Sequence, residues 1–203
     1  MIFRTVVQFV LVFLLAGSPG AQEGPNRPEP KPVTLDAKTT AVLVLDLHAR
    51  CHDPKEICFK LTPVVGEFLE KARAASVAIV YTASLNAKGT PTGEISEPLK
   101  RRATEPVVYP DHNDKFWGGE LHALLQQKGI KTLVITGSST NGAVLYTSST
   151  AARVYRYNIV IPLDGVIART KYEQEYPIHQ FTVLPSGASK QFQFTNLSMI
   201  SFH

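Results

Sequence analysis

Apolar residues in this chain fall into two patterns, and the two alternate. Thr40–Asp46, TAVLVLD, is a continuous apolar run closed by a carboxylate. Ser76–Thr82, SVAIVYT, and Thr132–Thr136, TLVIT, are runs of the same kind. Uninterrupted runs rich in Val and Ile predict strands covered on both faces, and therefore a parallel sheet. Between the first two, Thr62–Ala75 puts Val65, Phe68, Leu69 and Ala72 on one stripe at helical spacing. Glu120–Lys128 and Tyr172–Leu184 read as further helices, and Tyr157–Pro162 and Gln191–Ile200 as further strands. The alternation predicts one three-layer α/β domain with a mostly parallel, Rossmann-like sheet flanked by helices.

The first residues follow neither pattern. Met1–Arg4 carries one positive charge, Val6–Ala16 is apolar, and Gly17–Ala21 is small and suits a cleavage site. The stretch 1–21 reads as a signal peptide, with a retained N-terminal anchor as the alternative. No cysteine follows the apolar run, which gives no support to a lipoprotein anchor. Gln22–Val33 is rich in proline and charge. It predicts an extended, mobile lead-in, taken here as 22–38, before a folded domain over 39–203. A periplasmic or secreted location follows, with no stable membrane span in the mature chain.

Composition narrows the function classes. The 203 residues are 44% hydrophobic and 19% charged, which suits a single domain with a sizeable core. The net charge of +4 is small and spread along the chain, so it makes no nucleic-acid footprint. Cys51 and Cys58 are the two cysteines. In an exported chain they are expected to pair across a short loop. Metal binding with His48 and His52 is the alternative, although the spacing is not that of a zinc finger.

The densest chemistry lies in Lys131–Ala152. A buried strand runs into Gly137-Ser138-Ser139-Thr140-Asn141-Gly142, a small and permissive turn, and Ala143 opens a helical run. Strand, small-residue turn and helix together present free backbone N–H groups at a helix N-terminus, where anions and developing oxyanions bind. An ordinary strand–helix joint of an α/β protein has the same outline.

This stretch resembles the core of the isochorismatase-like, or cysteine hydrolase, superfamily, whose members carry strand, Gly-x-Ala-Thr-Asp/Asn-x-Cys, then helix. The resemblance spans about residues 39 to 201 and includes the Asp164-Gly165 turn after the strand ending at Pro162. It places the family's nucleophilic cysteine on Ala143. It makes Asp46, in Asp46-Leu47-His48, the acid/base, with His48 in place of the family's usual amide. Lys115, in Lys115-Phe116-Trp117, matches the lysine that pairs with that aspartate, although many members carry it several residues earlier. The backbone N–H groups of Ser139 and Ala143 become the oxyanion hole, and His48, Asn141 and Trp117 are implied substrate contacts. A core aromatic is the alternative for Trp117. In the nicotinamidase branch an Asp-x-His metal site follows the second strand. Here Ala83-Ser84-Leu85-Asn86-Ala87-Lys88 follows, so no metal and no other cofactor is expected. Lys88–Glu105 is expected to loop over the site. Its Lys100-Arg101-Arg102 is either a solvated basic face or a contact for an anionic substrate.

Without the thiol, the resemblance implies a hydrolase acting on a small molecule through Asp46 and Lys115, with water as nucleophile. The alternative is an inactive member that keeps the pocket as a binding site. A homo-oligomer is compatible with either.

Overall fold

The computed structural model describes residues 27–203, so the leader reading over 1–21 lies outside the described residues. The predicted apolar runs are strands. They are β2 (Thr40–Leu45), β3 (Ala78–Thr82), β5 (Thr132–Ser138) and β6 (Asn158–Pro162). Three further strands join them: β4 (Val107–Val108), β7 (Val166–Ile167) and β8 (Phe192–Thr195). Their order is β4-β3-β2-β5-β6-β8, with β7 paired to the far end of β5, and every pairing is parallel.

All six residues of β2 are buried, as a continuous apolar run at the centre of a sheet requires. Successive side chains leave by opposite faces. Ala41, Leu43 and Leu45 join one core with Leu121 and Leu125 of α2 (Glu120–Gln127), Ala151 and Ala152 of α3 (Leu145–Arg153), and Ile178 and Phe181 of α4 (Lys171–Thr182). Val42 and Val44 join a second core with Val65, Phe68, Leu69 and Ala72 of α1 (Leu61–Ala74). The stripe read from the sequence is the buried face of α1. Among the described residues, three helices cover one face of the sheet and one helix covers the other. No helix there is long and apolar enough to cross a membrane.

Two expectations about the chain ends need correction. Ordered structure begins before residue 39: β1 (Val33–Leu35) pairs in parallel with β9 (Ile200–Phe202) in a separate two-stranded sheet beside α1. Val33 and Leu35 are apolar residues two apart, so one face of a single strand buries both. The terminal strand is also split. β8 stops at Thr195, a short 3-10 turn over Leu197–Met199 redirects the chain, and β9 enters the other sheet.

The sheet has its switch point between β2 and β5. The chain leaves β2 toward β3 and β4 on one side, and leaves β5 toward β6 and β8 on the other. The two connections diverge above the carboxyl ends of these neighbouring strands, which opens a crevice there. Leu45 pairs with Gly137, so Asp46 and the turn after β5 emerge side by side.

Candidate active site

Asp46 is the first residue beyond β2. Its φ of 56° lies in the left-handed region, which non-glycine residues seldom occupy. The backbone there is fixed by its neighbour strand, since Asp46 N–H donates to the Thr82 carbonyl at 3.2 Å. The carboxyl is nearly buried and both its oxygens accept hydrogen bonds. Lys115 Nζ is 2.8 Å from Oδ2, and Thr82 Oγ1 donates to Oδ1 at 3.0 Å. This is the hydrogen-bond pattern of an ionised carboxylate.

Lys115 is 2% exposed, an unusual position for a lysine unless its charge is paired. Its Nζ also donates to the His112 carbonyl at 3.2 Å. The loop that carries it is tied to α3. Lys115 N–H donates to Thr147 Oγ1 at 3.1 Å, and Thr150 Oγ1 donates to Asp114 Oδ2 at 2.6 Å. Thr147 and Thr150 stand one turn apart on α3, so a single helix face holds the loop. Phe116 closes the back of it against Tyr155 and Tyr157.

The turn after β5 begins at Gly137, whose φ is +130°. A Cβ built there would stand 2.2 Å from the Leu45 carbonyl oxygen, so only glycine lets β2 and β5 stay paired. The Ser138–Ser139 peptide is cis. Thr140–Val144 makes a wide, π-type turn before α3, where a regular helix opening at Ala143 was expected. The N–H groups of Gly142 and Val144 both return to the Ser139 carbonyl. Gln174 of α4 braces the turn, accepting from Thr140 Oγ1 at 2.9 Å and donating to the Val166 carbonyl at 3.2 Å. Ala143 is buried, while Ser139 and Asn141 are half-buried.

Cys51 and Cys58 are disulfide-bonded with Cα atoms 5.2 Å apart. They are the sequence's only cysteines, so no free thiol faces the turn. The bonded loop starts just beyond His48, which bridges antiparallel to Ile95 and is half-buried. Part of Lys88–Glu105 therefore lies against the residues that follow Asp46. Burial lowers the pKa of the His48 imidazole. The charges of Arg50 and Lys115 act in the same direction, against Asp46 and a backbone hydrogen bond at Thr92.

A pocket of about 360 Å³ opens beside Lys115, with Ser84, Asn86 and His112 in its wall. Trp117 is not a core residue. It is 64% exposed and stacks on His112, a residue of the pocket wall, with ring centroids 5.0 Å apart. The basic run is a solvated face: Lys100, Arg101 and Arg102 are all exposed, and none lines this pocket. Arg101 Nε donates to the Glu105 carbonyl, and Arg102 N–H to the Glu105 carboxylate, which belongs to the Arg73 and Tyr81 network below α1. The Ala83–Lys88 stretch offers no carboxylate or imidazole, so it does not fit the metal ligand set of the nicotinamidase branch. Among the described residues, no three His, Cys, Asp or Glu gather as a metal site.

Thr82, Thr147, Thr150 and Gln174 were not singled out from the sequence. Each is an ordinary strand or helix residue until the fold brings it to a distant partner. Thr82 alone carried a signal, because it ends a buried strand on the same side of the sheet as Asp46.

The isochorismatase domain model matches residues 40–189. Ureidoacrylate amidohydrolase RutB of Caulobacter vibrioides is 27% identical over 172 residues, covering 63% of this chain and 71% of that protein. The secreted isochorismatase effector Isc1 of Verticillium dahliae is 25% identical over 145 residues, covering 66% and 76%. Among solved structures, an isochorismatase family protein from Desulfovibrio vulgaris superposes with a TM-score of 0.67 at 21% identity, over 79% of this chain and 95% of that one. N-carbamoylsarcosine amidase from Thermoplasma acidophilum gives 0.66 at 19% identity, over 78% and 96%. With a family model matched over most of its length and this parallel sheet, the chain belongs to the isochorismatase domain family of hydrolases.

Proposed function

We propose that this protein is an exported hydrolase that cleaves a small molecule by direct attack of water, with Asp46 and Lys115 as its acid–base pair. The observation that carries the reading is the buried contact of Lys115 Nζ with Asp46 Oδ2 at 2.8 Å, beside the turn that follows β5. A buried lysine and aspartate are costly to keep unless they are paired, and Lys115 lines a pocket of small-molecule size. The N–H groups of Ser139 and Ala143 serve the developing oxyanion, and His48, Asn141 and Trp117 contact the substrate. Ala143 stands at the nucleophile position, so no covalent thioester forms and water must reach the electrophilic carbon itself. Because the Asp46 carboxylate already accepts from two donors, the polarised carbonyl of an amide or ureido group suits the site better than an enol ether, which must first be protonated. RutB is by name an amidohydrolase, which agrees with that preference. Export is supported by the apolar leader, by the disulfide and by the secreted relative Isc1.

Alanine at the nucleophile position favours one rival reading, a member that binds a small molecule without turning it over. The deciding experiment screens the purified mature protein against small amides, ureido acids and enol ethers of carboxylic acids. Turnover that Asp46→Asn abolishes, and that thiol alkylation leaves intact, supports the hydrolase. Saturable binding with no turnover of any compound supports the binder.

A further inference from the structure

The two ends of the sheet differ in charge. Every pairing in the seven-stranded sheet is parallel, so the connections that enter its strands gather at one end and the crevice lies at the other. Lys38 precedes β2, Lys128 and Lys131 precede β5, Arg156 precedes β6 and Lys190 precedes β8. Backbone bonds align the central starts. Lys131 N–H donates to the Thr39 carbonyl at 2.8 Å, and Asn158 N–H to the Lys131 carbonyl at 3.0 Å. Arg102 joins from the β4 side, because it and Lys128 line one cavity of about 280 Å³ with Ser76 and Thr104. All six cations are exposed. Neighbouring strands lie about 4.8 Å apart, so the row crosses the path from β4 to β8 over roughly 24 Å. That spacing is shorter than the Debye length of about 8 Å at physiological salt, so the fields of neighbouring cations add.

Little at this end offsets them. Asp36, beside Lys38, is the one exposed acid in segments 36–39, 100–106, 128–131, 154–157 and 183–191. Glu105 is buried and held by Arg73, and Glu70 pairs with Arg73 and reaches Arg102 at 3.7 Å. Lys38, Lys128, Lys131, Arg156 and Lys190 have no ion-pair partner among the described residues. The crevice end is mixed instead, since segment 46–60 alone carries three acids and three cations. A net charge that looks evenly spread along the sequence is thus gathered by the fold into one basic face. Helix dipoles account for part of it, because Lys128 caps the C-terminus of α2, where a cation is favourable. Lys38 and Lys131 lie outside the last turn of any helix, so that account does not reach them.

We propose that this amino-end face docks on an anionic lipid bilayer. Each Lys or Arg close to such a surface adds its own attraction. Val154 and Val183 cap α3 and α4 at the same end and are 65% and 53% exposed. Apolar side chains set among cations suit the boundary between headgroups and acyl chains, and they offer nothing to a polysaccharide or a nucleic acid. The cavity between Arg102 and Lys128 has room for a phosphodiester headgroup. Docked this way, the protein turns Asp46, Lys115 and the crevice away from the bilayer and leaves them open to soluble molecules. The surface is independent of whatever chemistry the crevice performs.

Co-sedimentation of the mature chain with vesicles tests this. At low salt the protein should pellet with vesicles of phosphatidylcholine and phosphatidylglycerol in equal parts and stay in solution with phosphatidylcholine alone. Salt at about 1 M, where the Debye length is about 3 Å, should release it. The combined variant Lys38→Gln, Lys128→Gln, Lys131→Gln should partition about 100-fold more weakly. Lys55→Gln, Lys60→Gln, Lys171→Gln removes the same charge from exposed positions at the crevice end and should bind as wild type does. No binding to the anionic vesicles, or equal loss in the two triple variants, overturns the proposal. So does binding to heparin or duplex DNA without binding to vesicles, which makes the partner a soluble polyanion. If the first variant does not fold, wild type decides through lysine acetylation on vesicles. Protection of Lys128 and Lys131 with reaction at Lys55 and Lys171 supports the docking face, and the reverse pattern overturns it.

Discussion

Lys115 Nζ and Asp46 Oδ2 meet at 2.8 Å in a site where the lysine side chain is 2% exposed. The two residues come from unrelated loops, one after β2 and one before α2. They are held together by the sheet on one side and by Thr147 and Thr150 of α3 on the other. The pair is thus a structural element as well as a chemical one.

Removing one partner should cost more than removing both. Lys115→Met leaves Asp46 charged with Thr82 as its remaining side-chain donor, and loss of one member of a buried pair typically costs about 3–5 kcal/mol. Asp46→Asn combined with Lys115→Met removes both charges. Its urea midpoint should lie above that of Lys115→Met alone. Additive losses in the double-mutant cycle would show that the two groups do not couple.

The disulfide should act mainly on the unfolded chain. A loop as short as Cys51–Cys58 is worth about 2.5 kcal/mol on the chain-entropy model. The Cys51→Ser, Cys58→Ser double variant should lose roughly that much in urea unfolding. Reductant should lower the wild-type midpoint and leave that of the variant unchanged. Equal midpoints with and without reductant in the wild type would contradict the assignment.

How much of this was legible beforehand follows from how local each signal is. Continuous apolar runs announced β2, β3, β5 and β6, because a buried strand must be apolar on both faces. The α1 stripe was legible for the same reason. Asp46, Lys115 and the Gly137 turn were found through residue types at fixed places in a family order, and the fold brings the first two together. The short strands β4 and β7 were missed because two residues carry no period. β1 was hidden inside proline-rich sequence, since its partner β9 lies at the far end of the chain. Thr82 and Gln174 were invisible because a strand threonine or a helix glutamine gains a role only from its partner across the fold.

Acid should weaken the fold through Glu105. Burial alone would raise its pKa, but hydrogen bonds from Arg73 and the Arg102 N–H, and the Arg73 charge, outweigh it and leave it lowered. Arg73 Nε lies 2.7 Å from Glu105 Oε1, and Tyr81 Oη donates to Oε2 at 3.3 Å. Because the native carboxylate holds its proton less tightly than the unfolded one, this contribution is complete above the ordinary value of 4.5 and is lost as pH falls through the lower native value. The urea midpoint should fall as pH is lowered below 4.5. Glu105→Gln should flatten that part of the slope. An unchanged slope in the variant would place the acid sensitivity elsewhere.

Thr82 should decide how Asp46 is aimed. Its side chain is fully buried at the end of β3 and donates to Asp46 Oδ1, while its carbonyl accepts the Asp46 N–H. Thr82→Val keeps the shape and the backbone contact but removes the donor, leaving one carboxylate oxygen unsatisfied. Such a loss typically costs about 1–3 kcal/mol, and it frees the carboxylate to rotate about its own axis. Thr82→Ser keeps the donor and loses only a methyl. In urea unfolding the valine variant should therefore be the less stable of the two. In turnover it should lower kcat while leaving KM nearly unchanged, because a misaimed carboxylate affects the reacting geometry and not the pocket that holds the substrate. A purely structural threonine would give the same stability ranking with kcat preserved. The kcat of Thr82→Val against Thr82→Ser is thus the measurement that separates aiming from packing.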